Sequence, residues 1–336
     1  MEILLKFLKK MESDEYIWWS GVNEKGYQHN LLFYKFLRGN KDVQLCVHNN
    51  KWFLRNIINS LPSFLKSIFD KNQKPYISKY FINVKRILIA TNSDVGIKEL
   101  NDNNKSIIKK YQKQFNFSEI GRYILQNPES GIGFPHIRDS FSSIPSHQIL
   151  YSKALSIDDN PQLRPLPNGI NWEDARNKVE FMRSLYKTKK QNLNLLYINL
   201  NKPGVGSFGQ NTNDERPKLI EMFKNENYVT NGEGRGTKFL EEIYHHSFCL
   251  SPEGNCADSH RTWEALYLGT IPIVKKSKAM SWFEDLPILQ IDRWEQINDS
   301  FLKEQYEIMS KKQYNFQKLK MSYYINLMKS DLQNKI

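Results

Sequence analysis

Toward the carboxyl-terminal end, a set of polar residues is spaced for anion binding. Glu253, Gly254 and Asn255 stand in a loop, Asp258, Ser259, His260 and Arg261 follow, and Glu264 lies one helical turn further on. Local rules make the surroundings strand, loop, helix, turn and strand. The run Ser247 to Leu250 stops at Pro252, and Pro-x-Gly-Asn is loop chemistry. Asp258 or Ser259 can cap a helix whose apolar positions are Trp263, Leu266 and Tyr267. Gly269 stands where a helix-ending glycine belongs, and Ile271 to Val274 reads as a buried strand. In such a βαβ unit, ligands bind beyond the carboxyl ends of the parallel strands. The helix N-terminus offers unpaired N–H groups and a positive dipole end there, and Arg261 adds a cationic fork suited to phosphate. Glu264, on the same helix face, can accept hydrogen bonds from hydroxyls, so a nucleotide would engage both. A surface pair between Arg261 and Glu264 fits the same spacing, and both readings stand at this point.

The chain that must position these groups has 336 residues, room for two α/β domains; 40% hydrophobic and 13% aromatic residues exclude disorder. No apolar run approaches the roughly 20 residues that span a bilayer. Met1 to Met11, apolar but interrupted by Lys6, Lys9 and Lys10, reads as a helix rather than a signal peptide. Cys46, Cys249 and Cys256 show no paired spacing, which argues against a disulfide framework or a zinc site and for a reducing cytoplasm. The net charge of +12 is carried by scattered lysines without a nucleic-acid-binding motif. Nucleic acid is not expected; the excess suits attraction of anionic sugar nucleotides or peripheral contact with an anionic membrane.

In chain order, Leu4 to Met11 reads as a helix, Tyr16 to Trp19 as a strand and Gly21 to Gly26 as a loop. Asn30 to Leu37 reads as helix, Val43 to Val47 as strand, and Trp52 to Phe69 as a helix bent at Pro62. Arg86 to Ala90 is a buried strand, after which Asp94 either faces a crevice or caps the next helix. The segment 118–147, rich in Gly, Pro, Ser and His, suits a loop lining an acceptor site, with His136 and Asp139 as its chemical candidates. Prolines 161, 165 and 167 make an extended, stiff passage before a helix with Ala175, Val179, Met182 and Leu185 on one face. Leu193 to Asn201 is a buried strand, and a helix starts near Pro217. Asn213 and Arg216, just before it, serve either a cap and the surface or a ligand. Tyr228 to Gly236, with alternating glycines but no complete phosphate-loop pattern, reads as a connection to a helix Thr237 to His246. His245 and His246 are adjacent and face different sides, a poor metal pair. The end of Trp282 to Ile291 is a further strand, and the chain is helical from Trp294 onward.

The segment from Phe248 to Val274 resembles the donor-binding segment of exostosin-type glycosyltransferases and their bacterial, viral and algal relatives. In register with that family stand Phe248, Leu250, Ser251, Pro252, Gly254, Asn255, Asp258, His260, Arg261, Thr262, Trp263, Glu264, Ala265, Leu266, Gly269, Ile271, Pro272, Ile273 and Val274. Cys256 departs, standing where the relatives usually carry a second glycine. Looser similarity continues over residues 86–95, with Asn92 departing, through the proline-rich Ala154 to Ile170, and over Asn211 to Arg216.

The resemblance implies an α/β protein with two Rossmann-like domains facing a cleft, the GT-B architecture. Residues 1–185 would form the acceptor-side domain and 186–300 the nucleotide-sugar-binding domain, with 301–336 a helical segment crossing back. It implies a glycosyltransferase moving sugar from a nucleotide sugar to a hydroxyl of a glycan or glycoconjugate, metal-independent and inverting, with no cofactor beyond the donor. Arg216, Asn213, Glu253, Gly254, Asn255, Asp258, Ser259, His260, Arg261 and Glu264 become donor contacts. Asp94 becomes the first choice of base, with His136 or Asp139 in reserve. A fucosyltransferase-like or phosphoryl-group transferase on the same frame, or a non-catalytic carbohydrate-binding protein, stands as the alternative.

Overall fold

Leu4 and Leu8, four residues apart and fully buried, form the inner face of the first helix, α1 (Glu2–Leu8). A computed structural model describes residues 1–19, 21–23, 26–28, 30–40, 43–46, 87–90, 149–153, 163–171, 174–191, 193–200, 215–253 and 258–333 of the protein. The chain divides into two units. The first comprises Met1–Phe36, Lys153–Asp158 and Pro165–Lys329; the second comprises Leu37–Ser152, Asp159–Arg164 and Ser330–Ile336. These boundaries differ from a division at 185 and 300, chiefly because the first 36 residues belong with the carboxyl-terminal half.

The reason is visible in residues 16–19. Their run of large apolar side chains predicts a strand, yet they form no ladder. They are extended and buried, and their polar groups find partners in distant segments. Ile17 N–H donates to the Tyr267 hydroxyl at 2.9 Å, and the Ile17 carbonyl accepts from Ile170 N–H at 2.8 Å. Trp19 Nε1 donates to the Pro167 carbonyl at 2.8 Å. Buried backbone groups must be paired, and here side chains and loops replace a neighbouring strand. The stretch after it, predicted as a loop, is an antiparallel hairpin of β1 (Gly21–Asn23) and β2 (Gly26–Gln28). Helix α2 (Leu31–Gly39) follows, its first turn held by Asn30, whose Oδ1 accepts from Phe33 N–H at 3.2 Å.

A four-stranded sheet has the order β3 (Val43–Cys46), β4 (Ile87–Ala90), β5 (Ile149–Lys153), β6 (Leu163–Leu166). β3, β4 and β5 pair in parallel, and β4 between the other two is the continuous apolar run expected of an inner parallel strand. The predicted helix over 52–69, the turn at Asp94 and the loop 118–147 lie outside the described residues.

Helix α3 (Ala175–Leu185) buries the four residues its spacing singles out, Ala175, Val179, Met182 and Leu185. The larger sheet is all parallel, in the order β11 (Leu289–Ile291), β10 (Ile271–Lys275), β9 (His246–Leu250), β7 (Asn194–Ile198), β8 (Val229–Asn231). β8 falls in the stretch read as a connection. Between the strands run α4 (Arg216–Phe223), α5 (Thr237–Tyr244), α6 (His260–Tyr267) and α7 (Lys278–Ser281), and α8 (Asp299–Lys311) and α9 (Met321–Gln333) close the chain. Along β7, Leu196 and Ile198 join a core with Leu219 and Phe223 of α4 and Leu302 and Met309 of α8. Tyr197, between them, turns to the opposite face and α5. The two-residue alternation of the strand thus assigns one helix layer to each face. Each fully buried aliphatic side chain in this core contributes about 1.5–3 kcal/mol. The result is a parallel α/β sheet compatible with a Rossmann-like fold, and at its centre β7 and β9 are neighbours although β8 separates them in sequence. At such a reversal of winding, the crossovers before and after lie on opposite faces and leave a crevice at the carboxyl ends of the strands.

In the second unit the end of α9 supplies Asp331, which accepts from the Tyr151 hydroxyl at 2.6 Å and lies 3.3 Å from Arg164 Nε. No helix among the described residues is long and apolar enough to cross a membrane.

Candidate functional site

The carboxyl ends of β7 and β9 are where the polar residues of the sequence motif gather. β9 ends at Leu250, and the buried Ser251 hydroxyl meets the hydroxyls of Ser259 at 2.9 Å and Thr262 at 2.7 Å. These contacts fasten the first turn of α6 to the strand that leads into it. Ser259 is the N-cap by backbone position, but its side chain caps no helix N–H. Thr262 N–H donates to the Ser259 carbonyl at 2.9 Å, and the amides before it have no side-chain acceptor from the cap, the geometry in which a helix end receives an anion.

Two arginines bridge the strands at this point, one from each side. Arg261, in the first turn of α6, donates from Nη2 to the carbonyl of Asn199, just past the end of β7, at 2.8 Å. Its guanidinium lies 5.6 Å from the centre of the Phe239 ring. Its Nε is buried and has no hydrogen-bond partner among the described residues. Arg216, at the first position of α4 on the β7 side, directs Nη2 toward the Glu253 carbonyl in the loop that leaves β9, at 3.5 Å. That distance is at the outer limit of a hydrogen bond. Lys275, the last residue of β10, adds a third cation and is matched by Glu215, whose Oε1 lies 2.6 Å away. Glu215 Oε2 accepts from Trp294 Nε1 at 2.7 Å. Lys275 and Trp294 hold the Glu215 carboxyl below its ordinary range against the opposing effect of burial, which is the largest influence on it.

The other motif residues divide between this edge and the interior. Glu253 is exposed in the loop. Asp258 is buried, and its Oδ2 accepts from Asn168 N–H at 2.6 Å and from Trp263 Nε1 at 3.0 Å. Asn168 Nδ2 donates in turn to the Asp258 carbonyl at 3.0 Å. His260 Nδ1 is 2.8 Å from the Gly169 carbonyl, which can only accept, so the proton sits on Nδ1. Gly169 itself has φ +74°, and a Cβ there would come within 2.5 Å of the Ile17 carbonyl oxygen. Asp258 and His260 thus anchor the helix start to the proline-rich passage. Sequence spacing gives no sign of this, because the partners are about ninety residues apart.

Glu264 is 5% exposed and lies 3.5 Å from Lys178 of α3. It forms neither a pair with Arg261 nor an open acceptor at the sheet edge: its carboxylate is engaged between two helices. Asn213, Gly254 and Asn255, and the candidate bases Asp94, His136 and Asp139, lie outside the described residues. Among the described residues no group of three or more His, Cys, Asp or Glu side chains is arranged to hold a metal ion.

What this edge can do chemically is hold a multiply charged anion. It combines backbone N–H donors, a helix dipole and a guanidinium whose one hydrogen bond among the described residues goes to a neutral carbonyl. No protein-family model matches the chain, and no curated protein matches it significantly.

Proposed function

We propose that the protein is a glycosyltransferase that binds the diphosphate of a nucleotide sugar at the carboxyl ends of β7 and β9. The observation that supports this reading is the position of Arg261, which spans the winding reversal of a parallel sheet from the first turn of a helix. In sugar transfer, positive groups steady the departing diphosphate while a base deprotonates the acceptor hydroxyl. Arg261 and the first-turn amides of α6 take the first role, with Arg216 assisting, without a bound metal. Asp94 is the base, with His136 or Asp139 as the substitutes, and direct attack inverts the sugar carbon. In this reading the second unit takes the glycan or glycoconjugate acceptor, completing a pair of Rossmann-like domains. Asp258, His260 and Glu264 act on the donor through the helix they fix rather than by touching it.

A thermal-shift panel of UDP-, GDP-, CMP- and ADP-sugars tests the proposal. One sugar nucleotide at a hundred times its Kd contributes about 2.7 kcal/mol of stability. At about 2–4 °C per kcal/mol for a domain of 150–250 residues, that is a rise of several degrees. Arg261→Ala abolishes the rise. A shift with no sugar nucleotide, or an undiminished shift in Arg261→Ala, contradicts the reading. Release of phosphate onto an acceptor in place of sugar transfer would indicate a phosphoryl transferase on the same site.

A further inference from the structure

Arg261 is held by few contacts, and the residue that holds it most directly is itself held. Asn199 gives its backbone carbonyl to Arg261, while its side-chain Nδ2 donates to the Gly234 carbonyl at 2.9 Å and to the Tyr197 hydroxyl at 3.0 Å. The Tyr197 hydroxyl donates to Glu242 Oε2 at 2.6 Å. The same carboxylate oxygen accepts from Gly234 N–H at 3.1 Å. Glu242 therefore closes a ring: it grips both groups that fix the Asn199 side chain, and Asn199 fixes Arg261. The aromatic contact runs parallel to it, since Phe239 lies under the guanidinium and its ring is 6.1 Å from that of Tyr197.

We infer that Glu242, through Tyr197 and Asn199, is a positioning residue that presets the Arg261 guanidinium at the sheet edge before any ligand arrives. Four features carry it. The hydrogen bond from Tyr197 to the Glu242 carboxylate is short, as charge-assisted bonds of the strong kind are. Tyr197 is fully buried, so its hydroxyl has no solvent to replace a lost partner. Gly232 and Gly234 leave no room for rearrangement: a Cβ would meet the Tyr197 hydroxyl at 2.4 Å and Glu242 Oε2 at 2.6 Å, respectively. Arg261 makes no ion pair of its own among the described residues that would orient it independently. Preorganisation of this kind raises affinity by removing the ordering that binding would otherwise require.

The inference rests on the anion-binding reading of Arg261, and a double-mutant cycle separates the two. The probe is inorganic pyrophosphate, titrated calorimetrically at low ionic strength into the full chain, because UDP-, GDP- and ADP-sugars all carry a diphosphate. Arg261→Ala is expected to weaken binding by about tenfold or more, as for the loss of one charge-assisted contact. Glu242→Ala is expected to weaken it by about three- to tenfold with Arg261 present, and by less than about twofold in the Arg261→Ala background. Glu242→Gln, whose amide oxygen still accepts from Tyr197 and Gly234, restores most of the affinity. If Glu242→Ala does not fold, Tyr197→Phe, which keeps the ring, replaces it in the same cycle. If the parent chain fails to bind pyrophosphate, or Arg261→Ala binds as well as the parent, the anion-binding reading falls and this inference with it. If Arg261→Ala weakens binding while Glu242→Ala acts equally in both backgrounds, or not at all, the positioning role alone is overturned.

Discussion

The two ends of the five-stranded sheet use positive charge in opposite ways. At the amino-terminal end, Lys190 Nζ donates to the Gly269 carbonyl at 2.9 Å and to the Thr270 hydroxyl at 3.1 Å, closing the C-terminus of α6. Thr270 Oγ1 is in turn within hydrogen-bond distance of the carbonyls of Ile243 and His246, at 2.9 and 3.0 Å. Burial pushes the Lys190 ammonium down to about 7, so near neutral pH this side chain can shed its charge. At the carboxyl-terminal end stands an arginine instead, and a guanidinium cannot shed its charge. The C-terminal end of α6 is closed by Lys190, whereas at the other end the Ser259 side chain caps no helix N–H. The difference separates a structural cation from the one proposed above to meet a ligand, although the two lie at opposite ends of the same eight-residue helix.

The comparison can be broken hardest at Asp258. Asp258→Ala leaves the Asn168 N–H and the Trp263 indole buried without their acceptor, a loss of about 2–5 kcal/mol. The measurement is urea unfolding followed by tryptophan fluorescence. A loss below about 1 kcal/mol would mean that the start of α6 is not fixed by this carboxylate. A second effect, confined to the amino-terminal end, is expected from pH. Unfolded Lys190 keeps its proton to about 10.5, whereas in the folded chain it loses it near 7. Between those values the unfolded state binds more protons, so stability rises with pH; below about 7 both states are charged and the gain is absent. Burial pushes Tyr16 up to about 12 and raises Tyr186 as well. The unfolded state then loses phenolic protons first, and stability falls as pH rises through the range from 10 to 12. The urea midpoint should therefore climb from pH 7 to about 10 and drop beyond it. Lys190→Met should flatten the climb and leave the drop; an unchanged climb would remove Lys190 as its source.

Much of this sheet was legible in the sequence because its signals are local. Ser259 ahead of a helical apolar pattern, Gly269 with φ +65° at its end, and the apolar run from Ile271 mark one βαβ unit without reference to anything else. The buried face of α3 follows from its spacing alone. Failures came where the deciding partner is remote. Residues 16–19 have the composition of a strand, but Tyr267 and Ile170, not a neighbouring strand, take up the hydrogen-bonding groups of Ile17. β8 hides in a glycine run because it is a three-residue edge strand with little apolar burial, held by its ladder to β7. For the site, Arg261 and Arg216 were legible as cations near strand ends. The roles of Asp258 and Glu264 were not, since Asn168 and Lys178 reach them across long stretches of chain. Glu242, Tyr197 and Asn199 carried no motif; only the folded arrangement connects them to Arg261.

The claim on which the rest depends is that the reversal between β7 and β9 seats a diphosphate. Diffraction from a crystal soaked with whichever of UDP or GDP stabilises the protein more tests it most directly. The account predicts phosphate oxygens within about 2.7–3.2 Å of the Arg261 guanidinium and of the first-turn amides of α6. A nucleotide seated elsewhere, with Arg261 still bonded only to Asn199, would contradict it.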